Sequence, residues 1–95
     1  MEVNKKRYDE LAKIFKSLAS PIRIGMLILL AEKEHCACEF PCLLNISQPN
    51  SSRNLRVLRD AGLIKSYRDE QRIIYFIDDP AIKKFIESVQ KLELK

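Results

Sequence analysis

Tyr8, Leu11, Ala12, Phe15, Leu18 and Ala19 recur at steps of three and four with Lys and Glu on the other face, which predicts an amphipathic helix over about residues 5–18. Ser20 followed by Pro21 reads as an N-cap and a first-turn proline. The stretch to Ala31 is apolar almost all round, as a central buried helix must be. A short helix is expected over residues 39–44, starting near Cys38 because Pro41 is tolerated only in a first turn. Asn45, which tolerates the left-handed closing conformation, ends it. Ser47 then caps a helix with Pro49 in its first turn, Leu55, Val57 and Leu58 along its length, and Ala61-Gly62 as its stop. Residues 63–68 and 72–77 are rich in β-formers around the polar Asp69-Glu70-Gln71, which predicts a hairpin. Asp79-Pro80 restarts a helix in which Ile82, Phe85, Ile86, Val89 and Leu92 keep helical spacing.

Two short helices joined by Asn45-Ile46-Ser47 outline a helix-turn-helix over about residues 38–61, and a hairpin over about 63–77 directly after it is a wing. The expected fold is therefore mainly α with a small β-hairpin, a winged helix-turn-helix in the order ααα-α-ββ-α. No repeat, low-complexity tract or linker divides residues 1–95, so one domain is expected.

A chain of 95 residues buries only about two-thirds of its surface alone, which makes a partner subunit a reasonable expectation. One His and no plausible pair of buried carboxylates leave nothing on which to build general acid–base chemistry, so neither an enzyme nor a small organic substrate is expected. The N-terminus lacks the apolar segment of a secretory signal, and the longest apolar run, residues 24–31, is less than half a membrane span. A cytoplasmic protein with no membrane partner follows as the expectation. Three cysteines, an odd number without a signal, argue against a structural disulfide framework and for thiols reduced at rest.

The net charge of +4 is unevenly placed. Residues 47–72 hold six basic residues (Arg53, Arg56, Arg59, Lys65, Arg68, Arg72) against three acidic ones, a net of +3, while the flanks contribute +1 and 0. A solvated helix face would show the same charge, but concentrated Lys and Arg also make a salt-dependent DNA-binding face. With Leu55 and Leu58 inward, Ser52, Arg53 and Arg56 point outward, and Gln48 and Asn50 occupy the first turn that meets base edges. Ser47, Asn54 and the wing residues Arg68 and Arg72 complete the candidate set for double-stranded operator DNA. Arg pairs with guanine, and Gln or Asn with adenine. No aromatic cluster accompanies the basic residues, so duplex is preferred over single strands.

All three cysteines lie within residues 36–42. Cys38 and Cys42 are one helical turn apart, and Cys36 lies just ahead of that helix, where its sulfur can fold toward them. Three converging thiolates suit As(III) or Sb(III) first, then Cd(II), Pb(II) or Cu(I). Zn(II) would want a fourth ligand, for which His35 is the one imidazole, although His35 by itself reads as an exposed loop residue. A reversible thiol switch and inert packing are the competing readings of the same cluster.

Phe15-Lys-Ser-Leu-Ala-Ser-Pro-Ile-Arg-Ile-Gly-Met-Leu, Cys36-Ala-Cys38-Glu-Phe, the run from Ser47 to Ile64, and Arg72-Ile-Ile-Tyr-Phe resemble the ArsR/SmtB family of winged-helix repressors that sense metals and metalloids. The resemblance runs from about Tyr8 to the last helix. It implies a homodimer joined through helices at about 5–18 and 79–93, for which Leu11, Phe15, Ile82, Phe85, Ile86 and Val89 are the candidate contacts. It also implies two recognition helices on a near-palindromic operator, no cofactor for DNA binding, and release when an inducer binds. Three departures stand out. Cys42 comes one residue later than the arsenic-type pattern, with Pro41 before it; the last helix has no His or Cys for the zinc, cobalt or nickel site of some members; Ser51 replaces an apolar residue. A thiol-redox regulator and a winged-helix interaction module or metal carrier that never touches DNA are the alternatives.

Overall fold

The computed structural model describes residues 4–94. Five α-helices and three strands follow in order: α1 Lys5–Leu18, α2 Pro21–Glu32, β1 His35–Cys36, α3 Phe40–Leu44, α4 Gln48–Asp60, β2 Lys65–Asp69, β3 Arg72–Phe76 and α5 Pro80–Gln90. A 3-10 turn, Ala37–Glu39, joins β1 to α3. The mainly helical winged helix-turn-helix expected from the sequence is the fold found, with the last helix shorter than the 79–93 stripe suggested.

Local chemistry explains the breaks. Ser20 Oγ accepts the Arg23 N–H at 3.4 Å and Pro21 fills the first turn of α2. Asn45 takes φ 54°, a left-handed stop that turns the chain from α3 into α4. Helix α3 begins at Phe40 rather than near Cys38. Ahead of it, the Cys36 sulfur and the Glu39 carboxylate cap each other's backbone, and this capping box holds residues 37–39 in the tighter 3-10 form.

Helix α2 is the pillar: Met26, Leu27 and Leu30 pack with Phe40, Leu55, Leu58, Leu63, Ile64, Tyr75, Ile77 and Ile86. The wing carries a strand beyond the expected hairpin, because β1 pairs antiparallel with β3 through His35 opposite Tyr75 and Cys36 opposite Ile74. The sheet order is β1-β3-β2, with Tyr67 opposite Ile74 on the other side. No single helix among the described residues is long and apolar enough to cross a membrane.

Candidate DNA interface and thiol site

Helix α4 presents two faces. Ser51, Asn54, Leu55 and Leu58 are buried, the i, i+3, i+4, i+7 stripe that fixes its rotation. That stripe leaves Gln48, Ser52, Arg53 and Arg56 exposed, while Asn50 sits half-buried at the N-terminal turn. Ser47 caps the helix, its Oγ accepting the Asn50 N–H at 3.2 Å. In the wing, Arg68 and Arg72 are exposed, and Arg72 Nη2 donates to Asp69 Oδ2 at 3.3 Å across the turn.

One candidate DNA residue is elsewhere. Asn54 is only 7% exposed, so it does not face a duplex. Its carboxamide accepts from Arg23 Nη1 at 2.9 Å and donates to Asn50 O and Oδ1 at 2.9 and 2.7 Å. Residue type suggests base reading, but position 54 lies four before Leu58 and three after Ser51, on the inward stripe. Ser51 is buried as its apolar slot demands, and its Oγ has no hydrogen-bond partner among the described residues.

The thiols are brought together unequally. Cys36 and Cys38 are joined as a disulfide over a Cα separation of 5.2 Å. Cys36 is 3% exposed, and Cys38 is open to solvent. Cys42 stands free and exposed on α3. Among the described residues no three His, Cys, Asp or Glu side chains converge on a metal position. The i, i+4 stacking expected of Cys38 and Cys42 needs both on one α-helix, and Cys38 belongs to the 3-10 turn instead.

His35 is not the exposed loop residue expected; it is 5% exposed, held in β1 with its ring 5.7 Å from that of Phe40. Its Nδ1 lies 2.7 Å from Glu39 Oε2 and, facing a carboxylate, must carry the proton it donates. Glu39 Oε1 accepts the Cys36 N–H at 3.0 Å. One carboxylate thus pins both residues of β1. A two-residue strand has no periodicity to read, which is why neither β1 nor the burial of His35 was visible in the sequence.

These bonds set a pH dependence. The His35 hydrogen bond, then the Cys36 N–H, hold the Glu39 carboxyl below its ordinary pKa of 4.5. A depressed carboxylate pKa means the stabilisation is present above the ordinary value and fades as pH falls through the folded-state value below it. Glu39→Gln should therefore flatten the acid side of a plot of Tm against pH below 4.5, leaving the neutral side parallel to the parent. Superimposable acid limbs would show that the clamp contributes nothing.

Cys36 and Cys38 share a cleft of about 200 Å³ with Gln48, Ser51 and Ser52 of α4 and Arg72 of the wing. The thiol pair is therefore set against the surface that would read a duplex. Elsewhere on the surface, Phe15 and Phe85 pack edge to face at 6.4 Å and remain exposed, with Ile24, Val89 and Leu92 around them. Of the candidate dimer contacts, Ile86 is buried in the core of the single chain, so it is not free to meet a partner. Leu11 and Ile82 are half-buried.

The sequence model described as bacterial regulatory protein, arsR family, matches residues 20–66. An HTH-type transcriptional regulator of Methanocaldococcus jannaschii is 34% identical over 87 residues, which cover 90% of this chain and 98% of that one. An arsenic resistance transcriptional regulator of Pseudomonas putida is 37% identical over 79 residues, 82% of this chain and 61% of that one. Among solved structures, the homodimeric winged helix-turn-helix DNA-binding domain of a possible ArsR-family regulator from Mycobacterium bovis superposes with a TM-score of 0.84 at 26% identity, covering 94% of this chain and 84% of that one.

Proposed function

We propose that this chain, which belongs to the arsR family of bacterial regulatory proteins and is a winged-helix transcriptional regulator, works as a dimeric cytoplasmic repressor that leaves its operator when a thiophilic ion takes Cys36 and Cys38. The observation that carries this reading is the cleft in which those sulfurs meet Gln48, Ser52 and Arg72. A change of state at the thiols is a change at the DNA surface, with little protein between. Gln48, Ser52, Arg53 and Arg56 would enter the major groove, and Arg68 would meet phosphate beside it.

Once a cellular thiol reductant has opened the Cys36–Cys38 bond, the two soft sulfurs fit As(III) or Sb(III) better than a hard ion, but they supply only part of a three-sulfur site. The third donor must be Cys42, brought round by unwinding the 3-10 turn, or a thiol from solution; Cd(II), Pb(II) and Zn(II) rank lower because they ask for more ligands. Ligation would break the hold of Glu39 on Cys36 and shift Phe40, which packs on α4 through the core. A coupling of about 2.7 kcal/mol between the sites would weaken DNA binding about 100-fold.

A second reading keeps the fold and changes the signal. The joined Cys36 and Cys38 favour a dithiol–disulfide switch, in which an oxidant removes two hydrogens and closes the bond.

One experiment separates these readings. The reduced protein is titrated onto its own upstream promoter DNA with and without arsenite, cadmium, lead, zinc and mild peroxide. The expected result is a loss of affinity of about 100-fold with arsenite that Cys36→Ser abolishes. Release by peroxide alone would establish the redox switch. DNA binding indifferent to salt would favour a protein-interaction module, since phosphate contacts release counterions.

A further inference from the structure

Arg23 sits in the first turn of α2, yet its side chain ends on the buried stripe of α4, at Asn54. Its Nε donates to the Ser17 carbonyl at the end of α1 at 2.6 Å, and its Nη1 donates to Asn54 Oδ1 at 2.9 Å. Asn54 Nδ2 in turn donates to Asn50 O and Oδ1 at 2.9 and 2.7 Å. Arg53 Nη2 adds a long contact to Asn50 Oδ1 at 3.5 Å. The relay runs from the last turn of α1, through α2, into the first turn of α4.

The chemistry of the relay has a direction. A guanidinium has only donors, so it accepts nothing, and Asn54 must turn its oxygen toward Arg23. The Asn54 amino group is then forced toward Asn50, and a donor there can be met only by an acceptor. Asn50 therefore spends its carbonyl oxygen inward and keeps its amino group for the outside. Without Arg23 the sense of the Asn54 carboxamide rests on the Asn50 backbone carbonyl alone, and that of Asn50 on the long Arg53 contact, so both are held more loosely.

We propose that Arg23 is a positioning residue for DNA reading: through Asn54 it sets the Asn50 carboxamide so that a hydrogen-bond donor is the group offered to the duplex. This rests on the reading of α4 as the recognition helix. An Asn free to use both ends pairs bidentately with adenine. An Asn with its oxygen spent recognises acceptors instead, namely guanine O6 or N7, adenine N7 and thymine O4, and rejects the cytosine amino group. The specificity of the half-buried Asn50 is thereby decided two side chains away, by a residue that touches no base.

The test is a double-mutant cycle. Arg23→Met, Asn50→Ala and the combination are compared with the parent chain on the promoter duplex, on duplexes substituted base by base, and on a scrambled duplex. Arg23→Met is expected to lower the ratio of specific to non-specific affinity about tenfold and to relax discrimination against cytosine at one position per half-site. The same substitution should have no further effect once Asn50→Ala is present. Arg23→Lys, which keeps a donor toward Asn54, should restore the ratio. The slope of log affinity against log salt should not change.

An equal loss in both backgrounds would assign Arg23 a general structural role and overturn the inference. A salt slope reduced by about one would make Arg23 a phosphate contact and overturn it equally. A DNA-free measurement decides the geometry independently: exchange of the Asn54 side-chain amide, followed by NMR, is expected to be slow in the parent and fast in Arg23→Met. Equal rates would overturn the relay. A parent chain that binds promoter and scrambled duplexes alike would overturn the regulatory reading and the base-reading role with it, while the amide exchange would still judge the relay.

Discussion

Phe85→Glu yields a folded monomer that binds the promoter about 10²–10⁴-fold more weakly than the parent chain, because each half-site must then be held without the tethering of the other. Phe85 is 42% exposed and lies outside the core, so the charge does not threaten the single-chain fold. It lies against Phe15 at 6.4 Å, in a face continued by Ile24, Val89 and Leu92. A two-fold interface repeats every substitution, so two carboxylates would have to be stripped of water in one apolar contact, at several kcal/mol each. Sedimentation equilibrium and a salt titration of DNA binding check both halves. Phe85→Ala should weaken the dimer without abolishing it. Dimers that persist in Phe85→Glu with unchanged affinity would place the interface elsewhere.

Phe40→Ala lowers stability by about 3–5 kcal/mol, the usual cost of emptying a buried aromatic site. Phe40 is fully buried, starts α3 and touches His35, so its ring supports both the helix-turn-helix and the clamp on Cys36. In a domain of this size the loss is a large part of the whole and lowers Tm by roughly 4–8 °C per kcal/mol. Should Phe40→Ala fail to fold, Phe40→Leu, at about 1–1.5 kcal/mol, retains most of the volume. Its diagnostic reading is the rate at which a small alkylating reagent reaches Cys36 in reduced protein, which rises when the turn loosens. Calorimetry and mass spectrometry supply the two numbers. A Tm within a few degrees of the parent for Phe40→Ala would mean that the core closes over the gap.

Where the sequence was informative, it was through signals that span several residues. The stripe of α1, the Ser20-Pro21 start of α2, the Ser47-Pro49 start of α4 and the β-rich runs of the wing each combine periodicity with a breaker, and each marks an element that is present. What escaped depends on single residues meeting at a distance. His35 is buried because Glu39 and Phe40 fold back on it, and nothing at position 35 announces this. The chemistry of Asn54 suits the DNA face, although the spacing of Ser51, Leu55 and Leu58 places it inward. Spacing puts Cys38 and Cys42 on one helix with Cys36 ahead of it, but the capping box at Cys36 and Glu39 holds Cys38 in a 3-10 turn instead. The clustering of the cysteines is legible in the sequence, but that only Cys36 and Cys38 meet is not.

The central position of β3 gives the wing a mechanical character. Because β1 and β2 flank the same strand, a displacement of Cys36 is applied to Ile74, and Ile74 is also the residue opposite Tyr67 in the wing. The strand that carries Cys36 and the outer strand of the wing are thus coupled through β3. Cys36, Ile74 and Tyr67 stand in one row across the three strands, so the sulfur-bearing strand and the wing share a single hydrogen-bonded partner.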